Sequence, residues 1–90
     1  MGNLIRRIVK ATLRNLSDEY IDFIHDGHVY FAFIDKDELN NIDKDHYDII
    51  ISKFRLALIN DTKVNLILER KAGKYNKKQL MDYVIKAEFW

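Results

Sequence analysis

The 90-residue chain has no cysteine and no proline, and its three glycines stand apart at positions 2, 27 and 73. Without cysteine there are no disulfide staples, no thiolate metal sites and no cysteine nucleophile, which suits a reducing cytoplasm. Without proline there is no proline-rich linker or cis-proline turn. The scattered glycines rule out a glycine-rich phosphate loop. No apolar run approaches the ~20 residues of a membrane-spanning helix. Met1 to Lys10 lacks the apolar stretch of about 7–15 residues that marks a signal peptide. Serine occurs only at positions 17 and 52, neither in a triad context. These absences point to a protein that is not an enzyme, with no cofactor, no metal and no membrane partner.

What is present is a single small domain. Hydrophobic residues make up 48% of the chain and charged residues 32%, enough for one core and too few residues for two. The net charge of +1 hides a segregation. Residues 1–16 sum to +4, residues 17–48 to −8 and residues 49–90 to +5. Distinct acidic and basic surfaces are expected, each able to steer a complementary partner. Ile, Lys, Asn, Asp and Tyr supply 44 of the 90 residues, and four of these types have A/T-rich codons. That usage fits a low-GC bacterium, its phage or a plasmid.

Ile5, Ile8, Val9, Thr12, Leu13 and Leu16 recur at three- and four-residue spacing, which predicts a basic amphipathic helix over residues 3–16 with Asn3 as N-cap. Two β-rich runs, 20–25 and 28–34, flank Asp26-Gly27, the pair that favours a type I′ hairpin. The implied register sets His25 opposite His28, Phe23 opposite Tyr30 and Ile21 opposite Ala32. Both faces of this hairpin are largely apolar, so either it is buried on both sides or one face meets a partner or a second copy of the chain. Residues 35–43 read as a polar loop. Residues 44–59 read as the central core helix, capped by Asp43, with a stripe of Tyr47, Ile50, Ile51, Phe54, Ala57 and Leu58 widened by Ile49, Leu56 and Ile59. Val64, Leu66 and Leu68 alternate in a strand over 63–71, residues 72–79 form a basic loop, and residues 81–90 alternate again. A helix over 77–88 is the rival for that last segment, with Asn76 as its N-cap. A shift of 43 residues superimposes Lys10 on Lys53 and Ile21 on Val64, a faint echo of duplication. The expected fold is α+β, in the order α-β-β-α-β-β: a four-stranded antiparallel sheet with two helices on one face.

Three kinds of site follow. Asp35, Asp37, Glu38, Asp43 and Asp45 offer carboxylates to a basic groove on another protein, with Tyr20, Phe31 and Phe33 as the apolar contact. This is the leading reading: a non-enzymatic inhibitor or adaptor of phage or mobile-element type, working in the (host) cytoplasm by surface occlusion. The alternative is nucleic acid, held by Arg6, Arg7, Lys10 and Arg14 together with Arg70, Lys71, Lys74, Lys77 and Lys78, with Tyr75 free to stack on a base. A sequence pI of about 8.0 is low for a dedicated nucleic-acid binder. The third kind is metal chemistry. His25 and His28 flank a turn with Asp22 or Asp26 nearby; the sequence does not determine the third ligand, which His46 could supply only if the fold brings it close. Asp48 with Glu69-Arg70-Lys71 resembles the core of PD-(D/E)xK nucleases, where two carboxylates hold Mg²⁺ and the lysine assists attack by water. Asp48 departs from that pattern, because it falls in a helix.

Overall fold

The computed structural model describes residues 5–72 and 79–89. Three strands come first: β1 (Ile5–Leu16), β2 (Tyr20–His25) and β3 (His28–Ile34). Two helices follow, α1 (Lys36–Ile42) and α2 (His46–Asn60), then β4 (Lys63–Ala72) and β5 (Leu80–Phe89). The five strands close into a barrel in the order β1-β2-β3-β5-β4. Every neighbouring pair is antiparallel except β3 and β5, which run parallel through Phe33↔Tyr83 and Ile34↔Val84. The α+β expectation of an open four-stranded antiparallel sheet is therefore wrong. The molecule is a closed, mixed, mostly β barrel.

The first error lies in the helix expected over residues 3–16, of which Ile5–Leu16 form the 12-residue strand β1. Ile8, Val9 and Thr12 are β-branched, and stiff side chains of this kind fit a pleated surface. Val9, Ala11 and Leu13 alternate into the core, while Ile8, Lys10 and Arg14 are exposed. The register against β2 then slips between Leu13 and Asn15. This bulge brings Leu16 back against the core three residues after Leu13, and with the exposed Ile8 and the half-buried Thr12 upstream the spacing reads as helical. The proposed cap, Asn3, lies outside the described residues. The apparent duplication has no structural counterpart, because it superimposes a strand on α2.

The second error is the loop at 35–43, which contains α1. Asp35 is its N-cap, accepting a hydrogen bond from the Glu38 backbone N–H at 3.2 Å. Asp-x-x-Glu ahead of the buried Leu39 is a helix-start signal. Asp43 ends α1 and does not cap α2, whose N-cap is Asp45.

The first hairpin and the two last strands match expectation. The first hairpin has the anticipated register from Tyr20↔Phe33 to His25↔His28. Asp26 and Gly27 both adopt positive φ, 50° and 77°, as a type I′ turn demands. Strand β4 spans Lys63–Ala72 with Val64, Leu66 and Leu68 fully buried. Residues 80–89 form a strand, not the rival helix, whose cap Asn76 lies outside the described residues. A bulge opposite Ile67/Leu68 interrupts its alternation, so Tyr83, Val84 and Ile85 are all buried in succession.

The barrel interior is filled by Ala11, Ile21, Phe23, Ala32, Val64, Leu66, Leu68 and Val84. Helix α2 packs on β1 and presses Phe54 against Phe89, with ring centroids 5.5 Å apart. It buries Tyr47, Ile50, Ile51, Phe54 and Ala57, as its stripe implied. It is not a central helix, however: Leu56 is 59% exposed and Ile59 78%. Truncating Phe54 to alanine should cost about 3–5 kcal/mol by leaving a cavity. Leu56→Ala should stay within about 0.5 kcal/mol of wild type. Urea unfolding of the two variants checks this, and near-equal losses would refute the assignment of Phe54 as the plug between helix and barrel.

Candidate functional site

The pleat of the first hairpin decides which side chains leave the barrel. Ile21, Phe23, Ala32 and Ile34 point inward and are buried. Their neighbours Tyr20, Asp22, Ile24, Val29, Phe31 and Phe33 lie on the outer face by strand alternation. Phe31 is 39% exposed and Tyr20 36%. The rings form a ladder: Tyr20 to Phe31 at 5.0 Å, Phe31 to Phe33 at 5.0 Å, and Phe33 stacked on Tyr83 of β5 at 5.5 Å. Tyr20, Phe31 and Phe33, singled out from the sequence as an apolar contact, thus belong to one continuous aromatic strip.

This strip runs into a cleft of about 620 Å³. One wall is the turn between β1 and β2, with Asp18 and Glu19; the other is the start of α1, with Asp35, Lys36, Asp37 and Glu38. Phe33, Tyr47, Lys71 and Tyr83 also line it. The first wall is held by Ser17, whose Oγ accepts hydrogen bonds from the backbone N–H groups of Glu19 (3.3 Å) and Tyr20 (3.1 Å). The Tyr47 hydroxyl donates to the Asp18 carbonyl and ties that turn to α2. Burial pushes the Tyr47 phenol above its ordinary pKa, with the charges of Asp18, Asp48 and Glu19 adding to the effect. Five carboxylates face two ammonium groups, a formal local charge of −3.

Lys71 joins the cleft to the barrel. Its Nζ donates to Asp35 at 2.5 Å and stands 3.6 Å from Glu69. Burial alone would lower the lysine pKa; the hydrogen bond and charge of Asp35, helped by Glu69 and Glu38, outweigh it and hold the group above 10.5. The same ammonium lies 5.1 Å from the centre of the Tyr83 ring, and Lys36 lies 5.1 Å from that of Tyr47.

The structure thus collects Asp35, Asp37 and Glu38 and adds Asp18 and Glu19. Asp43 and Asp45 do not join them; they sit at the junction of α1 and α2, away from the cleft lining. Among the residues expected to hold nucleic acid, Arg6 pairs with Glu69 at 3.0 Å. Arg7 and Arg70 share Asp82, at 2.6 and 3.1 Å. Lys10 and Arg14 are exposed on β1. Lys74, Tyr75, Lys77 and Lys78 lie outside the described residues. Sequence reasoning missed Tyr83 and Tyr47 as site residues, since nothing in the linear pattern separates a cleft tyrosine from a core one.

His25 Nδ1–H donates to the Lys10 carbonyl at 2.9 Å, and Nε2 lies 3.5 Å from Asp26. The described residues contain no group of three or more His, Asp or Glu side chains placed to hold a metal ion. Glu69 and Lys71 engage Arg6 and Asp35, and Asp48 stands apart from them in the first turn of α2. No helix among the described residues is long and apolar enough to cross a membrane.

Replacing Lys71 with methionine removes the partner of a half-buried Asp35 and should cost about 1–3 kcal/mol. A raised lysine pKa contributes stability that is fully present below the unfolded value of 10.5 and is lost as pH rises through the folded value. The gap in Tm between wild type and Lys71→Met should therefore be constant at neutral pH and shrink only above 10.5. A gap that closes between neutral pH and 10.5 would break the assignment. No family model, curated protein or solved structure matches the chain.

Proposed function

We propose that the chain is a non-enzymatic binding domain that recognises another protein, in the manner of a small phage- or mobile-element-type inhibitor or adaptor acting by surface occlusion in a cytoplasm. The observation that carries this is the aromatic strip Tyr20–Phe31–Phe33, outside the barrel and beside a cleft of charge −3. Exposed aromatics next to an unbalanced charge are the composition of an interface centre with a steering rim. Phosphate would be repelled from the cleft, and the cations at 6, 7, 70 and 71 each have a carboxylate partner.

Single-stranded nucleic acid is the second reading. Small five-stranded barrels that bind oligonucleotides and oligosaccharides use the outer face of their second and third strands. Here that face carries the aromatic strip, and bases stack on such rings. This likeness is of architecture and indicates where a ligand would sit, not which ligand.

Both readings are tested by capture from a source-cell or host-cell lysate, using wild type and Tyr20→Ala/Phe31→Ala, with and without nuclease. Both side chains are partly exposed, so the variant should fold. The protein-binding reading expects a species retained after nuclease and lost with the double variant. Capture that disappears with nuclease transfers the strip to nucleic acid. Capture indifferent to the double variant overturns the strip as the interface.

A further inference from the structure

Barrel closure engages only one end of β3. Among the described residues, β3 meets β5 at Phe33 and Ile34 and nowhere earlier. Two hydrogen bonds at that end show which way its backbone groups point. The Ile34 N–H donates to the Glu19 carbonyl on the β2 side, at 2.8 Å, and the Asp35 N–H donates to the Val84 carbonyl on the β5 side, at 3.1 Å. Backbone groups alternate along a strand, and β3 pairs with β2 without a bulge. Tyr30 and Ala32 therefore turn their N–H and C=O groups toward β2. Val29 and Phe31 turn theirs to the opposite edge, where no described strand lies beside them.

The side chains are as uncovered as the backbone. His28, Val29, Tyr30 and Phe31 are all exposed, so this half of β3 is open on both faces, and Val29 is 55% exposed. Proteins that stay monomeric blunt such edges with charge, proline or a bulge. From His28 to Ile34 there is no Lys, Arg, Asp, Glu or Pro. The edge calls for an extended strand that has an open edge of its own, and β3 is itself such a strand.

We infer that a second copy of the chain pairs antiparallel with the open edge of β3, about a two-fold axis at Val29. In this register Val29 faces Val29 of the second copy, and the two exchange N–H···O=C hydrogen bonds. Phe31 faces Gly27 of the second copy, and His28 faces its Tyr30. The paired segment stops short of Phe33, where β5 occupies the same edge. No acid or base of one copy is set opposite one of the other along it, and a β-branched pair meets on the outer face. Pairing uses up the open edge of both copies, so assembly closes at two. A contact this short buries less than the ~800 Å² per partner of a standard interface, so the dimer dissociates on dilution. It goes beyond the protein-binding reading and does not depend on what the aromatic strip contacts.

The test is sedimentation velocity of the full chain from low micromolar to millimolar concentration, with amide hydrogen exchange of the ¹⁵N-labelled chain over the same range. A reversible monomer–dimer equilibrium is expected. The Val29 and Phe31 amides should exchange freely in the dilute monomer and become protected as the dimer forms. The Tyr30 and Ala32 amides, bonded to β2, should stay protected throughout. Val29→Lys and Val29→Glu each set like charges across the two-fold axis and should weaken association about tenfold or more. An equimolar mixture of the two variants should restore it. Val29 is exposed, so both variants should keep a Tm close to wild type, and the exchange measurement needs no variant at all. A monomer at every concentration overturns the inference. So does a dimer that ignores the charge swap, or a Val29 amide already protected in the dilute monomer. A monomer whose Val29 amide is protected only by a protein captured from lysate gives the edge to a strand of that protein, and the second copy falls.

Discussion

Strand β1 pairs along both of its edges, with β2 on one side and β4 on the other, and the short parallel contact of β3 with β5 completes the ring. Closure leaves each strand one inner and one outer face. The inner faces must fill a narrow space, which is why Ala11 and Ala32 sit there beside Phe23 and Leu66. Tyr20, Phe31 and Phe33 alternate with the inward residues of the hairpin and are turned outward. The barrel places them outside, and the helices cover α2's own contact with β1 and Phe89 instead.

The same closure builds the cleft. Parallel pairing of β3 with β5 stacks Phe33 on Tyr83 and delivers Asp35 to the end of β3, beside Lys71 on β4. The Asp35 backbone N–H donates to the Val84 carbonyl at 3.1 Å, which anchors the start of α1 to the barrel seam. Asp35 therefore has two jobs, capping α1 and holding Lys71. The Ile34 backbone N–H, in turn, reaches the Glu19 carbonyl at 2.8 Å and fixes the opposite wall. Two acidic segments far apart in the chain are held facing each other by backbone hydrogen bonds that are indifferent to their charge. Their mutual repulsion is offset locally by Lys36 and Lys71, and the remaining negative charge faces solvent.

Charge pairing engages part of the two basic runs within the barrel. Arg6, Arg7, Arg70 and Lys71 all converge on the β1–β4–β5 side of the barrel, where Glu69 and Asp82 are waiting. Glu69 is 5% exposed and holds Arg6 and Lys71 at once, so two of the expected ligand-binding cations serve the barrel itself. Cross-strand register, rather than run length, decides whether a lysine or arginine is available to a partner.

The sequence alone determined the features that depend on near neighbours. Asp26-Gly27 specified the hairpin turn and its register, because only residues tolerant of positive φ close a two-residue connection. The stripe of α2, the alternation of β4 and the strand nature of 80–89 were legible for the same reason. So was the division of the chain into basic, acidic and basic blocks, and so was the placing of Tyr20, Phe31 and Phe33 on one face of the hairpin. Residues 5–16 were not legible, because a bulge at Asn15 adds one residue to a two-residue period and imitates a helical spacing. Tertiary structure alone decided barrel closure, the pairing of β3 with β5, and the meeting of Asp18 and Glu19 with Asp37 and Glu38 around Tyr83. Those are contacts between residues 18 to 65 positions apart, and local propensity carries no information about which distant edges will meet.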